Sequence, residues 1–61
     1  MYILVEEPHS DEARRAFNAL DDAFGTDSFT REDATRVLEE HGFSSQMFQA
    51  LEMAGSIMEE R

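Results

Sequence analysis

The side chains that could do chemistry are few, and their spacing argues against most of it. His9 and His41 are the two imidazoles, and cysteine is absent. That removes disulfides, thiolate zinc sites and thiol nucleophiles together. Two histidines without cysteine make a poor structural zinc set. No second histidine stands three or four residues from His41. Glu39, Glu40 and His41 could hold a cation loosely, yet they equally describe a solvated helix end, where an imidazolium suits the dipole. Asp21 to Glu32 has the length of a calcium-binding loop, with an acid at each end. Its interior fails that test. Ala23 and Gly25 stand where oxygen ligands are needed, and Thr26 stands where the sharp turn needs glycine. There is no glycine-rich phosphate loop, no His-Glu-x-x-His, and no Ser-His-Asp set that so short a chain could hold in a cleft. The expectation is a protein that is not an enzyme and holds no metal or cofactor.

The arginines are the remaining candidates. Arg14, Arg15, Arg31, Arg36 and Arg61 are the only basic residues besides histidine; lysine is missing, and Asp plus Glu number 14. Arg15 lies four residues after Asp11, Arg36 four after Glu32, and Glu40 four after Arg36. Each spacing places a pair on one helix face, contributing about 0.2–0.5 kcal/mol at low salt. The plain expectation is therefore an ion-paired, solvated surface. The functional alternative is a small anion site around Arg14 and Arg15.

The formal net charge is −9 on 61 residues. Such self-repulsion destabilises a compact chain while keeping it soluble. A composition that keeps arginine, drops lysine and loads carboxylates resembles proteins of salt-in halophilic archaea. At about 1 M salt the Debye length falls to about 3 Å, which nearly screens the repulsion. The resemblance implies a high-salt cytoplasm. The acidic balance disfavours nucleic acid and anionic lipid as partners.

Length makes residues 1–61 a single domain. At this size only about 60% of the unfolded surface is buried, so the core is marginal. Small folds of this kind lean on disulfides, a metal or a partner chain. With the first two removed, a homodimer is expected. No apolar stretch approaches the roughly 20 residues that span a membrane. Met1–Val5 is too short for a signal peptide and is followed by Glu6-Glu7. A cytoplasmic location follows as an expectation.

The elements that must position these residues can be read from periodicity. Tyr2-Ile3-Leu4-Val5 is a β-prone run bounded by Glu6-Glu7-Pro8, a short strand that must pair to persist. Its partner is a short C-terminal strand or the same strand of a second subunit. Ser10 is a good N-cap, with Asp11 and Glu12 in the first turn. Ala13, Ala16, Phe17, Leu20, Ala23 and Phe24 then form one helical stripe, which Gly25 ends. Thr30 caps a second helix from Arg31 to about His41, with Asp33 at N3 and a staple between Phe29 and Ala34. Ala34, Val37 and Leu38 face inward; Gly42 stops the helix and Phe43 folds back on it. Ser44 or Ser45 caps a third helix, with Met47, Phe48, Ala50, Leu51 and Ala54 inward. Gly55 favours a break there, since a mid-helix glycine costs about 1 kcal/mol against alanine. Ser56-Ile57-Met58 then becomes a short strand; the alternative is a third helix that continues to Glu60.

This order, closed by Leu51-Glu52-Met53-Ala54-Gly55-Ser56-Ile57-Met58-Glu59, resembles the helix-turn-helix part of a winged-helix domain, whose third helix ends in a pattern like L-x-x-x-G-x-I-x-E. The likeness runs from about Asp11 to Glu60. The fold expected is a mainly α, three-helix domain with a short N-terminal strand, with or without a short C-terminal one. The chain stops at Arg61, leaving no room for a wing hairpin, so the N-terminal strand could pair with residues 56–58 in its place. In such families the third helix enters the major groove. Carried over, the readers are Ser45, Gln46 and Gln49, with Arg31 and Arg36 on phosphate. Yet the third helix has no Lys or Arg and carries Glu52, a deficit where phosphate contacts dominate affinity.

Met47, Met53, Met58, Phe43 and Phe48 make the C-terminal third soft and apolar. Methionine fills irregular gaps and also lines adaptable surfaces. Met53 and Ile57 lie off the inner stripe, and one small core cannot hold every large residue. They are assigned to a subunit interface together with Tyr2 and Leu4, or with Ile3 and Val5. The leading function is a small non-enzymatic interaction or regulatory module that binds protein, itself included. A DNA-binding regulator using residues 45–54 is the alternative.

Overall fold

A computed structural model describes residues 1–60. The elements run β1 (Tyr2–Leu4), α1 (Asp11–Phe24), α2 (Arg31–Glu40), α3 (Met47–Met53) and β2 (Ile57–Glu59). The molecule is mainly helical, with one short strand at each end of the chain.

The first two helices begin where their caps dictate. The Ser10 hydroxyl accepts from the Ala13 N–H, and the Thr30 hydroxyl accepts from the Asp33 N–H. Each satisfies an orphan donor of the first turn. The third helix departs from expectation. Neither Ser44 nor Ser45 caps it; Gln46 is the N-cap, with helical backbone and no side-chain hydrogen bond. Its start is held by a turn instead, in which the Met47 N–H donates to the Ser44 carbonyl at 3.1 Å.

Two helices end in the same device. At Gly42 (φ 83°) and Gly55 (φ 78°) the backbone turns left-handed. The Gly42 N–H reaches the Glu39 carbonyl and the Phe43 N–H reaches Leu38; likewise Gly55 reaches Glu52 and Ser56 reaches Leu51. These are paired Schellman bonds, which satisfy the last carbonyls of a helix. The second helix therefore stops at Glu40, one residue before the expected His41. The third stops before Gly55, and the chain leaves as a strand.

That strand meets the N-terminus. β1 pairs with β2 antiparallel, Tyr2 opposite Glu59, Ile3 opposite Met58 and Leu4 opposite Ile57. On its other side β1 forms a bridge to Phe29. The Tyr2 N–H donates to the Phe29 carbonyl at 2.7 Å, and the Phe29 N–H returns to Tyr2 at 2.9 Å. The N-terminal strand thus lies between β2 and the segment joining α1 to α2.

The core gathers Ala16, Leu20, Phe29, Ala34, Leu38, Met47, Phe48, Leu51 and Ile57. Phe24 stacks on Phe29, and Tyr2 meets Phe48 edge to face. Three expected inward residues are instead exposed: Ala23, Ala50 and Ala54. Alanine carries little apolar area, so its inward placement is weakly enforced. Ala19, which the stripe omitted, is buried.

Candidate functional site

Strand alternation divides the expected interface residues. Tyr2 and Leu4 pack against the core, and Ile57 is 1% exposed within it. Ile57 is therefore withdrawn from the interface: it lies one residue past a buried Ser56 and directly opposite Leu4, so its side chain is consumed by this chain's own packing. Tyr2 and Leu4 share that inner face. Of the two alternatives for the strand, Ile3 and Val5 are the outward pair, because successive side chains point to opposite faces.

Opposite Ile3 stands Met58, 53% exposed. Met1, Val5 and Met53 are the other large apolar side chains in solvent, Met53 the most so at 80%. Met1, Ile3, Val5 and Met58 lie at outward positions of the β1–β2 pair, continuing the ladder on both sides of Ile3 and Met58. Met53 precedes the Gly55 turn that leads into β2. Sequence reading missed Met58 as a surface residue. The missing signal was the strand register: once Ile57 faces in, Met58 faces out.

The exposed side of α3 adjoins this region in sequence. Ser45, Gln46 and Gln49 are all exposed, as is Glu52. From Gly42 to Met58 the chain carries a single charged side chain, Glu52, whereas eleven acids lie between Glu6 and Glu40. Charge is thus unevenly spread along the chain.

The arginines are largely engaged. The Arg14 guanidinium lies 3.0 Å from Glu7 and 3.6 Å from Asp11, and donates to the His9 carbonyl. Arg36 pairs with Asp33 at 3.8 Å. The pairs expected four residues apart do not form; those that form within helices are three apart. Arg14 is thereby drawn away from any anion site shared with Arg15. Arg31 lies 5.3 Å above the Phe48 ring, a cation–π distance. At the end of α2, His41 Nδ1 lies 2.9 Å from the Val37 carbonyl. Among the described residues no pocket forms and no cluster of His, Asp or Glu is placed to hold a metal. No helix among them is long and apolar enough to cross a membrane.

Comparison with known protein families, characterised proteins and solved structures finds no match to this chain.

Proposed function

We propose that this chain is a small non-enzymatic interaction module that binds protein, a second copy of itself included, in a high-salt cytoplasm. One observation carries the reading. In a molecule of net charge −9, the exposed large apolar side chains Met1, Val5, Met53 and Met58 all belong to the terminal strand segments and the end of α3. Interface cores are depleted of charge and enriched in methionine. Methionine also suits a surface that must adapt to its partner. The small core argues the same way, since a second chain would supply the burial that one domain of this size lacks. The missing lysine and the excess carboxylate support a halophilic setting, where the surface charge is screened.

The double variant Met53→Glu, Met58→Glu tests this reading. Sedimentation at micromolar concentration in about 1 M KCl should show a wild-type dimer and a variant shifted towards monomer with unchanged helix content. A monomeric wild type, or a variant that stays dimeric, would count against it.

A second reading is a winged-helix-like DNA-binding regulator. It is favoured by the exposure of Ser45 and Gln46 just before α3 and of Gln49 on it, and by the position of β1, which pairs with β2 where the resemblance expects a wing strand. Gln can pair with adenine; Arg31 and Arg36 would meet phosphate. Against it, α3 bears no cation, and Arg36 already faces Asp33. A DNA binder would bind duplex less tightly as salt rises and lose affinity in Gln49→Ala and Arg36→Ala. The interaction module predicts no mobility shift with duplex DNA at any salt.

A further inference from the structure

We infer that Met53 and Met58 are modification sites, at which a peroxide converts the exposed thioethers to sulfoxides and thereby releases the second copy. The inference rests on the self-association proposed above and names its regulation.

The chain has four methionines and no cysteine. Two-electron oxidation at sulfur therefore falls on thioethers alone. The fold sorts those four sulfurs unequally. Met47 is 8% exposed and belongs to the core, whereas Met53 is 80%, Met58 53% and Met1 52% exposed. Helix geometry and strand register produce the difference. Met47 opens α3 and Met53 closes it. Six residues make roughly one and two-thirds turns, so the two side chains leave the helix on different sides. Met58 is turned outward by the pairing that sets Ile57 opposite Leu4.

Oxidation of methionine follows the exposure of its sulfur. With hydrogen peroxide the step balances without a group from this chain. A sulfur lone pair takes one peroxide oxygen; the O–O bond breaks and the S–O bond forms. The sulfur loses two electrons, and the second oxygen leaves as water carrying both protons. The reverse step needs a thiol reductant. It takes the oxygen away as water and joins two thiols in a disulfide. This chain has no cysteine, so those thiols belong to another molecule.

The product changes the surface and spares the fold. A thioether is apolar, while a sulfoxide is polar and accepts hydrogen bonds. On a single chain that acceptor is hydrated. Against a second copy it would meet apolar side chains such as Ile3 and Val5, which have no donor to offer. A buried acceptor without a partner is costly. Neither Met53 nor Met58 belongs to the core cluster, so their oxidation acts on the associated state. A sulfoxide at Met47 would disrupt the core, and burial withholds that sulfur. The surface thus responds to oxidant before the fold does.

The test treats the full chain with hydrogen peroxide in molar KCl. Peptide mass spectrometry on dilute protein, where the sulfurs are free of a partner, times each methionine. Met53 and Met58 should oxidise at least tenfold faster than Met47. Sedimentation should then show a dimer dissociation constant raised at least tenfold, with far-UV circular dichroism unchanged. Methionine sulfoxide reductases for both sulfoxide epimers, with dithiothreitol, should restore the untreated value. Met53→Leu, Met58→Leu removes both sulfurs and keeps apolar side chains. Whatever its own dissociation constant, peroxide should leave it unchanged. Three results overturn the inference: Met47 reacting as fast as Met53, an oxidised wild type that dimerises like the untreated protein, or a leucine variant dissociated by peroxide as wild type is. Should the leucine variant associate too weakly to be read, the oxidation rates and the reductase reversal decide alone. If oxidation leaves the dimer intact while Met53→Glu, Met58→Glu dissociates it, the regulation is wrong and the apolar face stands. A monomeric untreated wild type removes both.

Discussion

At the residue scale, Phe29 joins the core to the N-terminal strand. Its ring is 1% exposed and stacks on Phe24 with centroids 4.7 Å apart. Its backbone exchanges both hydrogen bonds with Tyr2. The same residue therefore seals the core and fixes β1, which in turn carries the outward Ile3 and Val5. Sequence periodicity assigned Phe29 only a local staple against Ala34, because nothing in a linear pattern shows a strand returning from the N-terminus. Phe29→Ala is expected to remove about 3–5 kcal/mol. A single small core supplies little more than that, so the variant should be unfolded at room temperature in molar KCl. Circular dichroism with urea titration checks this, and a cooperative transition near the wild-type midpoint would refute the role given to Phe29. The ion pairs Arg14–Glu7 and Arg36–Asp33 deserve no such weight. Both are solvent-exposed, and exposed pairs contribute about 0–1 kcal/mol.

At the element scale, helix boundaries were legible wherever a short-range signal sets them. Ser10 and Thr30 cap as their types and spacing require, and Gly42 and Gly55 end helices because each adopts a positive φ. The start of α3 was not legible. Two serines offered caps, yet the turn at Ser44 pulls the helix start to Gln46 without a side-chain acceptor. Packing of Met47 and Phe48 into the core outweighs a cap of about 1 kcal/mol. Gly55 is the more consequential glycine, since it converts the end of α3 into β2. A Cβ at Gly55 would meet nothing within 4 Å, so alanine there adds backbone strain without a clash. Gly55→Ala should therefore cost about 1–2 kcal/mol, and Gly42→Ala a similar amount. Thermal melts of the two single variants and the double variant should show nearly additive losses, because the sites terminate different helices. A Gly55→Ala protein as stable as wild type would mean that the left-handed turn is dispensable.

At the scale of the whole molecule, charge is spread unevenly along the chain. Eleven acids lie between Glu6 and Glu40, while α3 and the turn into β2 carry Glu52 alone. A chain so charged should gain stability as salt rises. Raising KCl from about 0.1 M to about 1 M shortens the Debye length from about 10 Å to about 3 Å, which relieves self-repulsion. The urea midpoint should increase monotonically across that range. A midpoint that is flat or falls with salt would contradict the halophilic reading. Measuring Met53→Glu, Met58→Glu alongside wild type separates folding from association, since only the latter should depend on protein concentration.

The sequence by itself determined the three helices, the ends of the first two to within a residue, the N-terminal strand and the absence of thiol chemistry, while it left residues 56–60 open between helix and strand. All of these follow from interactions spanning a few residues: caps, left-handed glycines, apolar periodicity and composition. The tertiary structure alone decided which residues of the terminal strands are core and which are surface. Ile57 was expected at an interface and lies in the core; Met58, its neighbour, lies outside. One residue of register separates the two outcomes, because side chains on a strand alternate with a period of two. That register is set by hydrogen bonds between residues more than fifty apart in the chain, Met1 with Glu60 and Val5 with Ser56, and no local pattern encodes it.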